Sequence, residues 1–510
     1  MEYVNNVLFL NTNYSKNKFI YATENKNGNF NIFMLNKNME TSCLIKDIES
    51  INNLGFYSND NWYILTNRKL DLRDYKSKQI SNLDLHFLKP HLKLLKVFEK
   101  DNPKIIILSV NIAKKFLILH ELDIHNGNNK IIYTFNYSAI FTIEDLLKIT
   151  SSYPITKIHN FIVHFLTTVL LKDEILLDQY SGARLTLKNI RGRSILNLKT
   201  ENHNLNFNFN YSTINRAFFL SNKLLLINIS TITKPFSLAT FNIFTKEITY
   251  LNRSIKTTLE SLAIQEKKIG RHLYITEDKI PVIKLKEKKQ SKIILMLHGG
   301  PYYHFDFSYN PLAKNLLNNE FTVYMVNFYG STGYGGNYKN KIRLNAGESD
   351  LQQVIKIIKH LNNLYPQKEV YVYGESYGAY LSTLLSFQKY IRIKKIISFG
   401  TFTDIRYQML FSNSILLMRE LFTLDNITTK NPIDLARNTK VIHDITFIHG
   451  KNDQHCPYQQ IINFQNSLNT ESLKKVKIIT IDNFGHYSLN SKEDRLLTNL
   501  ISKEATIVEE

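Results

Sequence analysis

Residues 369–387 read EVYVYGESYGAYLSTLLSF, and their reading decides the fold. Glu369–Tyr373 is a short apolar, aromatic run of the kind that forms a buried strand, and Tyr377–Phe387 carries the spacing of a helix. Between them stands Gly374-Glu375-Ser376-Tyr377-Gly378, a G-x-S-x-G pattern. Alone, such a pattern is often just a turn. Placed between a strand and a helix, it forms a sharp elbow that lifts a serine hydroxyl out of the sheet. Small residues two before and two after the serine prevent clashes there, and the following helix N-terminus supplies a positive field where an oxyanion would develop.

Around this elbow the sequence repeats a strand, loop and helix rhythm. The strand candidates are Ile293–Leu297, Thr322–Val326, Glu369–Tyr373, Lys395–Ser398, Ile445–Ile448 and Val476–Ile481. Helical patterns fall at Leu351–Leu364, Tyr377–Phe387, Ile415–Phe422, Gln459–Leu468 and Glu493–Ile501. Unalternating apolar strands, each followed by an amphipathic helix, predict a mostly parallel, doubly wound sheet covered on both faces. Functional side chains in such sheets lie at the carboxyl ends of strands.

A serine hydroxyl needs a base, and the base needs a carboxylate to fix its tautomer. Asp453 follows the strand Ile445–Ile448, and His486 follows the strand Val476–Ile481. They lie 77 residues after Ser376 and a further 33 residues on, in the chain order Ser, Asp, His of the α/β-hydrolases. His443, His449 and His455 compete for the base and Asp482 for the acid. His449 reads as support for its loop, while His455 and Asp482 each leave one partner without a loop of its own. A third element, His298-Gly299-Gly300-Pro301, follows the strand Ile293–Leu297. Paired glycines there let backbone N–H groups face a ligand, so the N–H of Gly300 and that of Tyr377 are the expected oxyanion donors. Each such donor is worth about 3 kcal/mol of transition-state stabilisation.

Upstream of residue 255 the texture changes. Short apolar runs alternate with turn residues: Phe19–Ala22 and Phe30–Leu35 around Asn27-Gly28, Phe116–Leu122 and Lys130–Phe135 around Asn126-Gly127, and Ser237–Phe244 with Glu247–Leu251. Asn-Gly between apolar runs marks a hairpin. Repeated hairpins predict an all-β domain over residues 1–254, read as about six blades of a β-propeller at roughly 40–45 residues per blade. Only Ile143–Ile149 looks helical in this region. The α/β-hydrolase domain is expected over 255–510.

The 510 residues carry a net charge of +20 and two cysteines, Cys43 and Cys456. So few cysteines in a chain of this size fit a reducing, cytoplasmic setting. No apolar run of membrane-spanning length is present, and the first residues lack the layout of a secretory signal. The basic excess comes with no nucleic-acid motif and is spread along a Lys- and Asn-rich sequence, so neither nucleic acid nor membrane is an expected partner. Its densest stretch, Lys284 to Lys292, reads as a solvated turn between two strand-like runs.

With these motifs placed, the region 255–500 resembles the prolyl oligopeptidase family of serine peptidases, in its acylaminoacyl-peptidase and dipeptidyl-peptidase-like branch. The resemblance rests on His298–Pro301, the stretch Asn327-Phe328-Tyr329-Gly330-Ser331-Thr332-Gly333-Tyr334-Gly335, Gly374–Gly378, His449-Gly450 with Asp453, Cys456, Pro457 and Gln460, and Gly485-His486. It implies an N-terminal β-propeller that restricts access to the site. It departs from the family pattern at Tyr329, Glu375, Ala379 and Cys456, which leaves every triad residue in place and bears on substrate preference.

The expectation is a serine peptidase that hydrolyses short peptides through an acyl-enzyme, with Ser376, Asp453 and His486 as triad and no metal or organic cofactor. The alternative is an esterase or other acyl hydrolase on the same triad, since the fold does not fix the leaving group. A non-catalytic, propeller-based binding protein is the third reading. Peptide specificity and assembly into homo-oligomers are left open by the sequence.

Overall fold

The computed structural model describes residues 7–136 with short breaks, 174–251, 255–285, and 292–506 apart from 413, 424–426, 489 and 490. The helix expected at Ile143–Ile149 and the Asn126-Gly127 turn lie outside the described residues.

Residues 7–48, 53–84, 93–136 and 174–209 each form a four-stranded antiparallel meander, and residues 213–258 form a five-stranded one. The hairpins read from the sequence are among them. Lys18–Glu24 pairs with Phe30–Asn36, with Tyr21 opposite Phe33, and Phe116–Asp123 pairs with Asn129–Asn136. The first, second, fourth and last meanders bury faces against one another. Phe19, Tyr21 and Leu35 of the first pack with Phe218, Leu226 and Leu238 of the last. On its other face Ile20, Ala22 and Ile32 pack with Leu54, Trp62 and Ile64 of the second. Leu196, Leu198 and Phe209 of the fourth pack with Ile227 and Phe241 of the last. Residues 137–173, between the third and fourth sheets, lie outside the described residues, and the described strands do not make up a closed propeller.

The second region is one eight-stranded sheet, and its strands are labelled here: β1 (Gly270–Ile275), β2 (Ile280–Leu285), β3 (Lys292–Leu297), β4 (Phe321–Val326), β5 (Val370–Glu375), β6 (Lys395–Phe399), β7 (Ile445–Gly450) and β8 (Val476–Ile481). The spatial order is β1-β2-β4-β3-β5-β6-β7-β8. β2 runs antiparallel to β1 and β4, and β4 to β8 are mutually parallel through β3. The six parallel strands stand where the apolar runs predicted them. β1 was not among the expected strands, and β2 was read only as a strand-like run ahead of Lys284.

Two expectations are corrected here. Ile255–Thr258, assigned from the sequence to the second region, pairs with Glu247–Tyr250 and completes the last antiparallel sheet. Lys284 is not in a solvated turn: it is buried within β2, with its ammonium over the rings of Tyr324 and Tyr365. A long aliphatic stem and a ring face together let the charge lie on an otherwise apolar strand.

Both faces of the sheet are covered, which is why the strands read as unbroken apolar runs. Leu295 and Val372 point into one core, against helices α2 (Ser349–Leu364) and α3 (Tyr377–Leu385). Met296, Tyr373 and Ile397 point into the other, against α1 (Pro311–Asn318) and α4 (Ser491–Thr506). The period-two alternation of the strands thus sorts neighbouring residues between two cores. α2 presents Leu351, Val354, Ile358 and Leu361 at helical spacing to the sheet. α1 begins on Asn310, whose side chain accepts from the Ala313 N–H, with Pro311 at the first helical position. α4 is tied down by Glu504, which accepts from Lys395 of β6 at 3.2 Å and Lys477 of β8 at 2.7 Å. Lys395 is buried with Glu504, so losing the carboxylate of that pair costs about 3 kcal/mol or more.

The two regions meet along the loops that follow β3 and β4. The Arg191 N–H, at the tip of a hairpin in the fourth meander, donates to the Gly333 carbonyl at 2.8 Å. Tyr211 packs edge-on against Phe307, with ring centres 5.1 Å apart.

Candidate active site

The elbow is built as the sequence predicted. Ser376 has φ 53° and ψ −113°, a conformation that costs an L-residue about 1–3 kcal/mol and persists only when its surroundings impose it. They do so through the Ser376 N–H, which donates to the Phe399 carbonyl of β6 at 2.9 Å, and through α3, which starts on the next residue. Gly378 is required by close approach, because a β-carbon there would stand 2.2 Å from the Leu297 carbonyl oxygen. The chain therefore crosses the end of β3 so tightly that only glycine fits.

Asp453 and His486 reach the serine from the ends of β7 and β8. His486 Nε2 is 2.9 Å from Ser376 Oγ, and its Nδ1 is 2.7 Å from Asp453 Oδ2. Asp453 and His486 are both buried. The remaining Asp453 oxygen, Oδ1, accepts from the Cys456 N–H at 2.7 Å. With Nδ1–H held by the carboxylate, Nε2 is the basic nitrogen and faces the hydroxyl.

The competing residues take other parts. His449 Nε2–H donates to the Cys456 carbonyl at 2.7 Å, and burial pushes its pKa down, so it is a neutral brace for the loop that carries Asp453. His443 bonds the Gln388 carbonyl, at 2.8 Å. His455 stacks loosely on His486, with ring centres 5.0 Å apart, and does not replace it. Asp482 is exposed and pairs with Lys451. Asp453, Cys456 and His486 hold metal-type donor atoms within 4.8 Å of one another. The imidazole nitrogens are committed to Asp453 and Ser376, so the grouping is a hydrogen-bond relay in form.

The His298–Pro301 loop lies against the serine. A β-carbon on Gly299 would be 3.2 Å from Ser376 Cβ. The His298 ring is fully buried, stacked on Phe328 at 4.3 Å, and its pKa is pulled down to about 3 by burial. As a neutral ring it donates from Nδ1 to the Gly299 carbonyl at 2.7 Å and accepts at Nε2 from Ser331 Oγ at 2.8 Å. In a trans peptide the C=O and N–H point in opposite directions. Anchoring the Gly299 carbonyl to the ring thus turns the Gly300 N–H away from it. The Tyr377 N–H, at the first position of α3, has no partner within its own helix. Asn327 steadies the same loop, bonding both the Phe305 N–H at 2.7 Å and the Phe305 carbonyl at 3.0 Å.

Several contributors were not legible beforehand. Gly400, just past β6, lies under the imidazole. The His298 ring was read only as part of a motif. The Tyr377 side chain donates to Asp350 Oδ2 at 2.6 Å from a buried position, tying the residue after the serine to α2. Burial pushes the Asp350 carboxyl up to about 6, although the Tyr377 hydrogen bond opposes the rise.

The fold and the site together set a serine, histidine and aspartate relay at the strand ends of a doubly wound α/β sheet, joined to an N-terminal β domain. Residues 305–501 match the model of the prolyl oligopeptidase family. That stretch of the chain is similar to this family. Its relatives include the uncharacterized peptidase YuxL of Bacillus subtilis, 26% identical over 42% of this chain and 34% of that protein. They also include the acylamino-acid-releasing enzyme of Mus musculus, 24% identical over 37% of this chain and 27% of that protein. The chain thus matches about a third of the length of these curated relatives. Among solved structures, the acylaminoacyl peptidase of Pyrococcus horikoshii superposes with a TM-score of 0.64 at 15% identity, covering 100% of this chain and 90% of that one. A puromycin hydrolase superposes with a TM-score of 0.66 at 8% identity, covering 96% and 92%. These likenesses establish the fold. No helix among the described residues is long and apolar enough to cross a membrane.

Proposed function

We propose that the chain hydrolyses short peptides through an acyl-enzyme, with Ser376 as nucleophile, His486 as general base and acid, and Asp453 as the carboxylate that orients it. The observation that carries this reading is the pair of hydrogen bonds, 2.9 and 2.7 Å, that runs from Ser376 through His486 to Asp453. In the first step His486 Nε2 takes the Oγ proton as Oγ bonds to the scissile carbonyl carbon. The carbonyl π electrons move to oxygen, where the N–H groups of Gly300 and Tyr377 are the assigned donors. The imidazolium then gives its proton to the departing amine as the C–N bond breaks. Water repeats the sequence on the acyl-serine and frees the acid.

The β domain is assigned the gating role. Its first sheet packs against both the second and the last, which suits a ring of blades standing over the site. The division between the domains belongs near Lys268, between the helix Leu259–Lys267 and β1.

The test is labelling with a fluorophosphonate probe, followed by cleavage profiling on a peptide library that includes N-acylated members and matched esters. Labelling and amide cleavage that vanish in Ser376→Ala support the reading. Ester cleavage without amide cleavage would replace the peptidase by an esterase, and folded protein that takes no label would end the enzyme assignment.

A further inference from the structure

The residue before the nucleophile is an acid. Glu375, the last residue of β5, lines a cavity of about 220 Å3 behind the elbow. The same cavity is lined by His486, Tyr487 and Asp494, with an apolar floor that includes Phe399 and Ile501. Among the described residues, no lysine or arginine lines it. Asp494 takes a hydrogen bond from Ser488 at the other side of this space.

We propose that Glu375 is a positioning residue that acts through His486: set one residue before Ser376 and sharing one small cavity with the imidazole, its carboxylate stabilises the imidazolium formed during acyl transfer. The proposal rests on the triad reading given above. Three features support it. The Glu375 backbone is held by the elbow, directly before Ser376. Among the described residues, the cavity lining offers it no lysine or arginine. Its titration also answers to the imidazole: burial pushes the Glu375 carboxyl up and so does Asp494, while His486 pulls it down.

The groups that face Glu375 are Tyr373 on its own strand, Tyr303 from the loop after β3, His486 and Tyr487 from the loop after β8, and Asp494 from α4. Burial raises the pKa of Tyr303, Tyr373 and Tyr487, so these phenols stay neutral through the working range. Asp494 is raised by burial, against the hydrogen bond from Ser488. His486 is faced in addition by Asp453, His455, His449 and Cys456 from β7 and its loop.

The sign follows from the base role. Only the neutral imidazole accepts the Ser376 proton, so the rate falls on the acid side through the imidazole pKa. A neighbouring carboxylate favours the imidazolium and raises that pKa. Removing the charge lowers it.

The experiment reads the second-order rate of fluorophosphonate labelling against pH, which needs no knowledge of the substrate. Glu375→Gln is expected to move the acid limb to lower pH by roughly 0.5–1 unit. It is also expected to lower the plateau about threefold to tenfold. Glu375→Asp, which keeps the charge, should retain the wild-type limb. Glu375→Met, neutral and of similar length, should reproduce the shift if the Gln variant does not fold. Superimposable limbs for the wild type and a folded neutral variant overturn the proposal, as does an Asp variant shifted as far as the neutral one. Wild-type protein that takes no label would instead overturn the triad reading beneath it.

Discussion

The imidazole of His486 lies against Gly400. A β-carbon at that position would stand 3.3 Å from His486 Cε1 and 3.6 Å from Asp453 Oδ2. Gly400 also has φ 60°, where an L-residue is strained. Gly400→Ala should push the ring off Ser376 and lower the hydrolysis rate by about tenfold to a hundredfold. The same change should cost only about 1 kcal/mol of stability. Parallel rate and thermal-melt measurements check this; an unchanged rate would mean that the ring is not seated on Gly400.

His298 should matter through its backbone contact and not through charge. His298→Ala frees the Gly299 carbonyl and lets the Gly300 N–H swing. The turnover number should fall by about tenfold to a hundredfold with KM nearly unchanged, as for a lost oxyanion donor. Burial keeps this ring neutral, with a pKa of about 3, so it should contribute no limb to a pH profile at neutral or mildly acidic pH. A variant that raises KM alone would contradict the assignment.

Asp350 makes stability depend on pH in an unusual direction. Its carboxyl is raised from 3.8 to about 6 by burial, so the folded state holds its proton after the unfolded state has lost it. Stability from this group is therefore complete below the unfolded value and declines as pH rises through about 6. Asp350→Asn should remove the decline. The variant gains up to about 3 kcal/mol over the wild type at neutral pH and little at acid pH. Denaturant unfolding at two pH values measures it, and equal differences at both would refute it.

The two thiols should react very differently. Cys43 is exposed, whereas Cys456 is buried and its thiol is pushed well up by that burial. Since the thiolate is the reactive form, a small alkylating reagent should modify Cys43 first and leave hydrolysis intact. Mass spectrometry of the native protein, read beside residual activity, decides the matter. Early loss of activity with Cys456 alkylated would overturn this ordering.

The parts of the molecule that were legible in the sequence share a cause. Val370–Tyr373 and Ile293–Leu297 are buried on both faces, so burial wrote itself into unbroken apolar runs. Ser376, Asp453 and His486 lie in the loops after β5, β7 and β8, where chain order and strand ends constrain them together. What escaped notice depends on long-range contact. β1, reading GRHLYI, is buried only at its two ends and sits at a sheet edge, so its pattern is faint. Lys284 looked solvated because a charge is normally exposed, and only the rings of Tyr324 and Tyr365 make its strand position tolerable. Gly400 carries no motif, and its importance appears only when an imidazole from 86 residues downstream rests on it.

The bond between Arg191 and Gly333 has one more consequence. It ties the fourth meander to the loop after β4 through main-chain atoms. Because both groups belong to the main chain, replacing the Arg191 side chain by any residue other than proline leaves this tie between the two regions in place.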